Sequence, residues 1–289
     1  MHVVTLISAT RLDPAFVDAL RNAWGGGDAI WLHETSAAEF RVTAVPDNQW
    51  NVWAEAQKMG VDLVIQPEKG RRKSVLIADM DSTMIGQECI DELADVAGVG
   101  VRVKDITARA MNGELDFEDA LRERVSLLKG LSTDIITRVW QDRITLTPGG
   151  PELLATMRRD GAYCALVSGG FTQFTKRVAE RLGFDEHRAN TLIEANGTLT
   201  GAVGSPILGR DAKVSALEEI CAMRGVRVSD AMAVGDGAND LGMLHLAGAG
   251  VALHAKPIVA AEVDRRINHG DLTALLYLQG YSADEFAIG

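Results

Sequence analysis

Val75-Leu76-Ile77-Ala78-Asp79-Met80-Asp81-Ser82-Thr83 is the stretch on which the fold turns. Four apolar residues without alternation read as a strand buried on both faces, as in a parallel sheet covered by helices. The run stops on two carboxylates one residue apart. Unpaired charges beside an apolar core cost on the order of several kcal/mol. A group of opposite charge must offset that cost, and a divalent cation suits two carboxylates best.

Working outward, similar short apolar runs lie at 163–167, 231–234 and 251–253, each separated from the next by helical patterning. Strand-helix alternation predicts an α/β fold with a doubly wound parallel sheet. Ligands in such folds bind beyond the carboxyl ends of the strands. Those ends carry Asp79 and Asp81, then Ser168-Gly169-Gly170, then Gly235-Asp236-Gly237-Ala238-Asn239-Asp240; Lys213 stands near the start of a further helix. Residues 88–145 break the alternation with helical spacing only, at Ile90, Leu93 and Ala97, then Leu121, Val125 and Leu128, and read as an inserted helical cap. Thr191 to Val203 alternates around Asn196-Gly197, a hairpin signal.

Residues 1–70 form a separate unit. Strands are expected at 2–8, 29–33, 39–45 and 61–65, with helices opening at Asp13-Pro14 and over 47–59. The order βαββαβ predicts a small α+β, ferredoxin-like sandwich and resembles an ACT-like regulatory domain by element order alone. The chain thus divides into 1–70 and 71–289.

Each strand-end residue has a chemical use. Carboxylate oxygens are hard ligands suited to Mg2+, and Asp79 and Asp236, on neighbouring strands, could share one ion. Ser168 and the Gly169 amide, at a helix start, make an anion site. Lys213 offers a compact positive charge to a phosphoryl oxygen. Asp79 can attack phosphorus, and Asp81, its pKa raised by the neighbouring charge, can protonate a leaving alcohol.

The chain has 289 residues, a net charge of -11 and 47% hydrophobic residues. Such an acidic chain is a poor partner for nucleic acid. No apolar stretch has the roughly 18 residues of a membrane span. Cys89, Cys164 and Cys221 are widely spaced, and no signal peptide is evident, so a cytoplasmic setting is expected.

Taken together, Asp79-Met80-Asp81-Ser82-Thr83, Ser168, Lys213 and Gly235 to Asp240 resemble the four ordered motifs of haloacid dehalogenase (HAD) superfamily phosphatases. The resemblance covers about 74–289. It implies a HAD-like fold, a Mg2+ cofactor held by Asp79, Asp81 and Asp236 with Asp240 behind them, and catalysis by Asp79, Asp81 and Lys213. The cap segment Leu115 to Leu128 resembles that of the phosphoserine phosphatases. By that likeness Arg122 clamps a substrate carboxylate and Glu88 an ammonium. Met111 and Phe117 form an apolar lid, and Ser168, Gly169, Lys213 and Asn239 bind substrate. The implied substrate is O-phospho-L-serine and the implied reaction the last step of L-serine biosynthesis. An alternative on the same core is a phosphotransferase, or a phosphatase for another small phosphomonoester. A homodimer is also among the expectations.

Overall fold

The structure is a computed structural model that describes residues 1–111 and 114–288, without the side chain of Met111. The N-terminal unit runs β1 (His2–Ser8), α1 (Pro14–Ala23), β2 (Ile30–His33), β3 (Ala37–Val42), α2 (Gln49–Lys58) and β4 (Val61–Pro67). Asp13 opens α1 by accepting the Ala15 N–H, with Pro14 in the first turn, where its missing N–H costs nothing. The sheet has the order β2-β3-β1-β4 with every pair antiparallel. That is the split βαβ arrangement expected from the element order.

The second unit opens with β5 (Val75–Ala78), the completely buried run quoted first. The cap follows as α3 (Cys89–Val96), α4 (Gly100–Met111), α5 (Phe117–Ser126) and α6 (Asp134–Asp142). The chain enters and leaves it through a narrow two-stranded neck. Ile85 bridges Leu146, the Gly86 N–H donates to the Thr145 carbonyl, and the Gln87 and Thr145 groups bond reciprocally. Then come α7 (Gly150–Arg159), β6 (Tyr163–Phe171), α8 (Thr172–Leu182), β7 (Glu186–Asn190), and the hairpin β8 (Leu192–Ala195) and β9 (Thr198–Val203). The remainder is α9 (Arg210–Arg224), β10 (Ala231–Gly235), α10 (Leu241–Leu246), β11 (Ala249–Leu253), α11 (Pro257–Glu262), β12 (Arg265–Ile267) and α12 (Ala274–Leu278).

The large sheet is parallel throughout, in the order β12-β11-β10-β5-β6-β7. From β5 the chain first winds outward through β6 and β7, then restarts on the other side with β10, β11 and β12. The direction therefore reverses between β5 and β10, the switch point where an open α/β sheet leaves a crevice. Asp79 follows β5 and Asp236 follows β10, so the topology alone sets these two carboxylates side by side.

One apolar cluster spans the two units, beside a separate cluster that belongs to the first unit alone. Ile7, Leu32, Ala37 and Val64 of the first unit pack in the same cluster as Leu275 and Tyr277 of α12. Polar ties reinforce the seam: the nearly buried Arg71 guanidinium donates to both oxygens of Glu39 at 2.7 and 3.1 Å, and Arg265 Nε donates to Gln66 Oε1 at 3.0 Å.

Candidate active site

Past β5 the backbone leaves the extended conformation for one irregular turn over Met80–Met84, in which Ser82 takes a left-handed φ of 54°. This turn lifts Asp79 and Asp81 into a cavity of about 200 Å³ between the sheet ends and the cap. That is room for a small metabolite rather than a drug-sized ligand. Its floor includes Asp79, Asp81, Ser168, Gly169, Gly170, Asp236 and Asn239; its cap side includes Glu88, Phe117, Leu121 and Arg124.

Asp79 is 5% exposed and Lys213 2% exposed. The Lys213 ammonium lies 2.7 Å from Asp79 Oδ1 and donates to Asp240 Oδ1 at 2.5 Å. The Met80 N–H donates to that same Asp79 Oδ1 at 2.8 Å. Both contacts fall on one oxygen, which leaves Oδ2 unencumbered. Asp240 uses its second oxygen to accept the Gly237 N–H at 3.0 Å, so both its oxygens are engaged in fixing Lys213 and the loop. Gly235 is required beneath it, because a Cβ there would overlap the Asp240 carboxylate. Asp236 Oδ1 faces the Thr83 hydroxyl, a donor at 3.4 Å, and its Oδ2 lies 3.6 Å from Lys256 Nζ.

Burial dominates the protonation of these groups. It pushes the Asp79 carboxyl well above its ordinary value, aided by the Asp240 charge and opposed by Lys213. Burial likewise pushes Asp236 up to about 6. Burial opposes the Lys213 ammonium, yet the Asp79 and Asp240 carboxylates outweigh it and hold its pKa above the usual lysine value. Oxygens of Asp79, Asp236 and Asp240 lie within 4.8 Å of one another. Three buried hard oxygen donors this close together fit a divalent cation.

The Asp81 side chain is not part of that triad. Its Oδ1 accepts the Cys89 N–H at 3.1 Å, at the start of α3 in the cap, and Gly170 lies against its Oδ2, where a Cβ would come within 2.5 Å. Met80 ends the strand alternation that would have kept Asp79 and Asp81 equivalent. Burial, then the charge of Glu88, pushes the Asp81 pKa up to about 7. A carboxyl raised on folding stabilises fully below its unfolded pKa, near 4, and loses that contribution as the pH climbs through about 7. Asp81→Asn is therefore expected to raise the melting temperature of metal-free protein at pH 8, by roughly 5–10 °C for an ionic penalty of about 4 kcal/mol. Differential scanning calorimetry should find almost no gain at pH 4; an equal gain at both pH values would contradict the assignment.

Ser168 is buried inside β6 and accepts the Gly170 N–H at 2.9 Å. The strand continues to Phe171 and α8 begins at Thr172, so the helix start expected at Ser168 lies four residues further on. Glu88 precedes α3 and accepts the Ser82 hydroxyl at 3.0 Å. Phe117 rests over the glycines of both flanking loops: a Cβ on Gly169 or on Gly209 would touch its ring at 3.4 or 3.5 Å. The other expected lid residue, Met111, has its side chain outside the described residues.

Arg122 is not brought to the cavity. It is half-exposed on the outer face of α5, paired with Glu118 at 2.7 Å and Asp119 at 3.4 Å. Arg124 lines the cavity in its place. Burial lowers its pKa, while the charges of Asp91 and Glu88 support the guanidinium. The signal was present in the spacing: Phe117, Leu121 and Arg124 stand at i, i+4 and i+7 and share one helix face, whereas Arg122 lies about 140° away. Lys256, in the loop after β11, is a second cavity residue that the motifs did not mark.

A family model described as haloacid dehalogenase-like hydrolase matches residues 76–245. A phosphoserine phosphatase from Archaeoglobus fulgidus is 43% identical over 223 residues, covering 76% of this chain and 64% of its own. One from Streptomyces coelicolor is 40% identical over 257 residues, covering 88% of this chain and 62% of its own. The chain thus spans under two thirds of the length of those relatives. The unliganded crystal structure of a probable phosphoserine phosphatase from Vibrio cholerae superposes with a TM-score of 0.81 at 31% identity, over 98% of this chain and 88% of that one.

Proposed function

The chain belongs to the haloacid dehalogenase-like hydrolase family, and we propose that it hydrolyses O-phospho-L-serine to L-serine and phosphate. The observation that carries this reading is the pairing, across one small cavity, of a carboxylate pair on the floor with Glu88 and Arg124 on the cap side. Phosphoserine has a phosphoryl group at one end and an ammonium and a carboxylate at the other. Arg124 offers a fork of donors to the carboxylate and Glu88 an acceptor to the ammonium. Relatives 40–43% identical bear the name phosphoserine phosphatase.

The residues divide the reaction as follows. Asp79 Oδ2 attacks phosphorus, and the bond from phosphorus to the serine oxygen breaks. Asp81, protonated near neutral pH, gives its proton to that oxygen. Serine leaves, and the phosphoryl group remains as an acyl phosphate on Asp79. Asp81, now ionised, takes a proton from water as that water attacks phosphorus, which frees phosphate and restores both carboxyls. The Ser168 hydroxyl and Gly169 amide bind phosphoryl oxygens, Lys213 balances their charge, and Phe117 screens the site from bulk water. Asp79 and Asp236 would hold Mg2+, with Asp240 fixing the surroundings. Such an ion supplies further neutralisation of the phosphoryl charge. Asn239, at the cavity wall, contacts substrate.

No helix among the described residues is long and apolar enough to cross a membrane. The three cysteines are buried and unpaired. Both fit the proposed cytoplasmic setting in serine biosynthesis. A homodimer is part of the proposal, and equilibrium sedimentation tests it.

A phosphate-release screen over small phosphomonoesters, with and without Mg2+, tests the function; phosphoserine should lead by at least about tenfold in kcat/KM. Comparable rates on every monoester, or phosphoester formation with added alcohols outpacing hydrolysis, would displace this reading in favour of a broad phosphatase or a phosphotransferase. The cap residues allow a finer test. Arg124→Ala should lower kcat/KM for phosphoserine by about 100-fold, as expected for a lost charge-assisted pair. It should leave phosphoethanolamine, which lacks the carboxylate, within about threefold. Arg122→Ala should stay near wild type on both. A larger loss from Arg122→Ala would return the clamp to Arg122.

A further inference from the structure

Lys256 brings an ammonium to the cavity lining, and the reaction above leaves it without a role. Its Nζ lies 3.6 Å from Asp236 Oδ2 and its side chain is 55% exposed. It lines the same cavity as Asp79 and Ser168. Lys213 is held by two carboxylates at 2.5 and 2.7 Å. Lys256 has one, at a looser distance, so its charge can pass from Asp236 to an incoming anion.

Its position depends on the N-terminal unit. Asp62, at the start of β4, is fully buried and accepts three successive backbone N–H groups: Asn268 at 2.8 Å, His269 at 3.1 Å and Gly270 at 2.8 Å. A buried side chain that accepts from three successive amides holds that connection tightly. The Gly270 carbonyl in turn lies 2.8 Å from His254 Nε2. A carbonyl only accepts, so Nε2 carries the hydrogen. His254 stands in the left-handed region at φ 45°, with its N–H donating to the Ile267 carbonyl at 2.7 Å. That conformation is costly outside glycine and persists only where neighbours enforce it. It turns the chain at the end of β11 so that, two residues on, the Lys256 N–H donates to the Asp236 carbonyl at 3.1 Å and the ammonium reaches the Asp236 side chain.

We propose that Lys256 is a phosphate-binding residue that also restrains the metal ligand Asp236, and that Asp62 of the N-terminal unit positions it through Gly270 and His254. The phosphate part rests on the functional reading above; the positioning part rests on the hydrogen bonds alone. The first unit then completes the active site of the second.

Binding measurements on the full chain test this without turnover. Removing the ammonium relieves repulsion of a cation at Asp236 and removes attraction for an anion, so the two affinities should move in opposite directions. In Lys256→Met, Mn2+ followed by electron paramagnetic resonance should bind about fivefold tighter. Inorganic phosphate, titrated calorimetrically into the Mn2+-loaded protein, should bind about tenfold weaker. General structural damage would weaken both. Asp62→Asn should show the same opposed changes at about two- to threefold, and none beyond Lys256→Met in the double variant. Should Asp62→Asn not fold, His254→Ala takes its place, with His254→Gln, which keeps an N–H donor, restoring wild-type values. Changes of one sign in Lys256→Met, or Asp62 and His254 effects that add in full to it, would overturn the proposal. Because neither probe is phosphoserine, an enzyme inactive on phosphoserine would refute the substrate while leaving these results readable.

Discussion

Asp79→Asn is expected to lower phosphoserine turnover by at least about 10⁴-fold while the chain still folds, in line with the loss of a nucleophile from a site whose members act as a unit. The amide keeps an oxygen to accept the Met80 N–H but has no anionic oxygen to attack phosphorus. Burial raises the Asp79 pKa, and the charges of Asp240 and Asp81 add to that, so the ionised form is a strained occupant of its own site. A neutral amide removes part of that strain. Its contribution has the sign worked out for Asp81: the raised carboxyl stabilises below about pH 4 and less as the pH climbs. The variant should therefore melt no lower than wild type at pH 8. The decisive measurement is acid quenching with phosphorus-labelled substrate. Wild type should retain label on the polypeptide, released by hydroxylamine as an acyl phosphate is, and Asp79→Asn should retain none. Labelling in the variant, or full turnover, would move the nucleophile elsewhere.

The parts legible in the sequence share a physical cause. β5, β6, β10 and β11 are buried on both faces, so they had to be written as unbroken apolar runs. Their polar ends had to stand out against those runs. β7 and β12 are the two edges of the sheet and read Glu186-His187-Arg188-Ala189-Asn190 and Arg265-Arg266-Ile267; half-covered strands of three to five residues carry no such signal. Motif likeness pointed to Arg122, which faces outward, whereas helical periodicity, which depends on the α5 face rather than on likeness, puts Arg124 on the side that lines the cavity. Lys256 could not be read at all. Its relevance comes from contacts between residues 62, 254 and 270, far apart in sequence, and from a left-handed histidine that no propensity favours. The structure groups the Asp79, Asp236 and Asp240 carboxylates and sets the Asp81 side chain apart for a local reason: i and i+2 remain equivalent only while the backbone stays extended, and Met80 ends it.

Lys213→Met should be the most destabilising of the site substitutions and should also lower turnover by about 10³-fold. Lys213 is buried with its ammonium between Asp79 and Asp240. A methionine of similar length fills the space but leaves two buried carboxylates facing each other. Breaking a buried pair from one side costs about 3–5 kcal/mol, because the remaining charge has no partner. The pH dependence follows from the same contacts. Lys213 lowers the Asp79 pKa, so its removal drives that carboxyl further up. Protonation then relieves the repulsion, and the stability deficit should be widest near pH 8 and narrow towards pH 5. Mg2+ should recover part of the loss at pH 8, since a divalent cation among these oxygens supplies the missing positive charge. Thermal melts at both pH values, with and without Mg2+, separate this from simple loss of packing. A deficit constant with pH and indifferent to the ion would mean that Lys213 acts as a buried strut rather than as the charge on which the two aspartates depend.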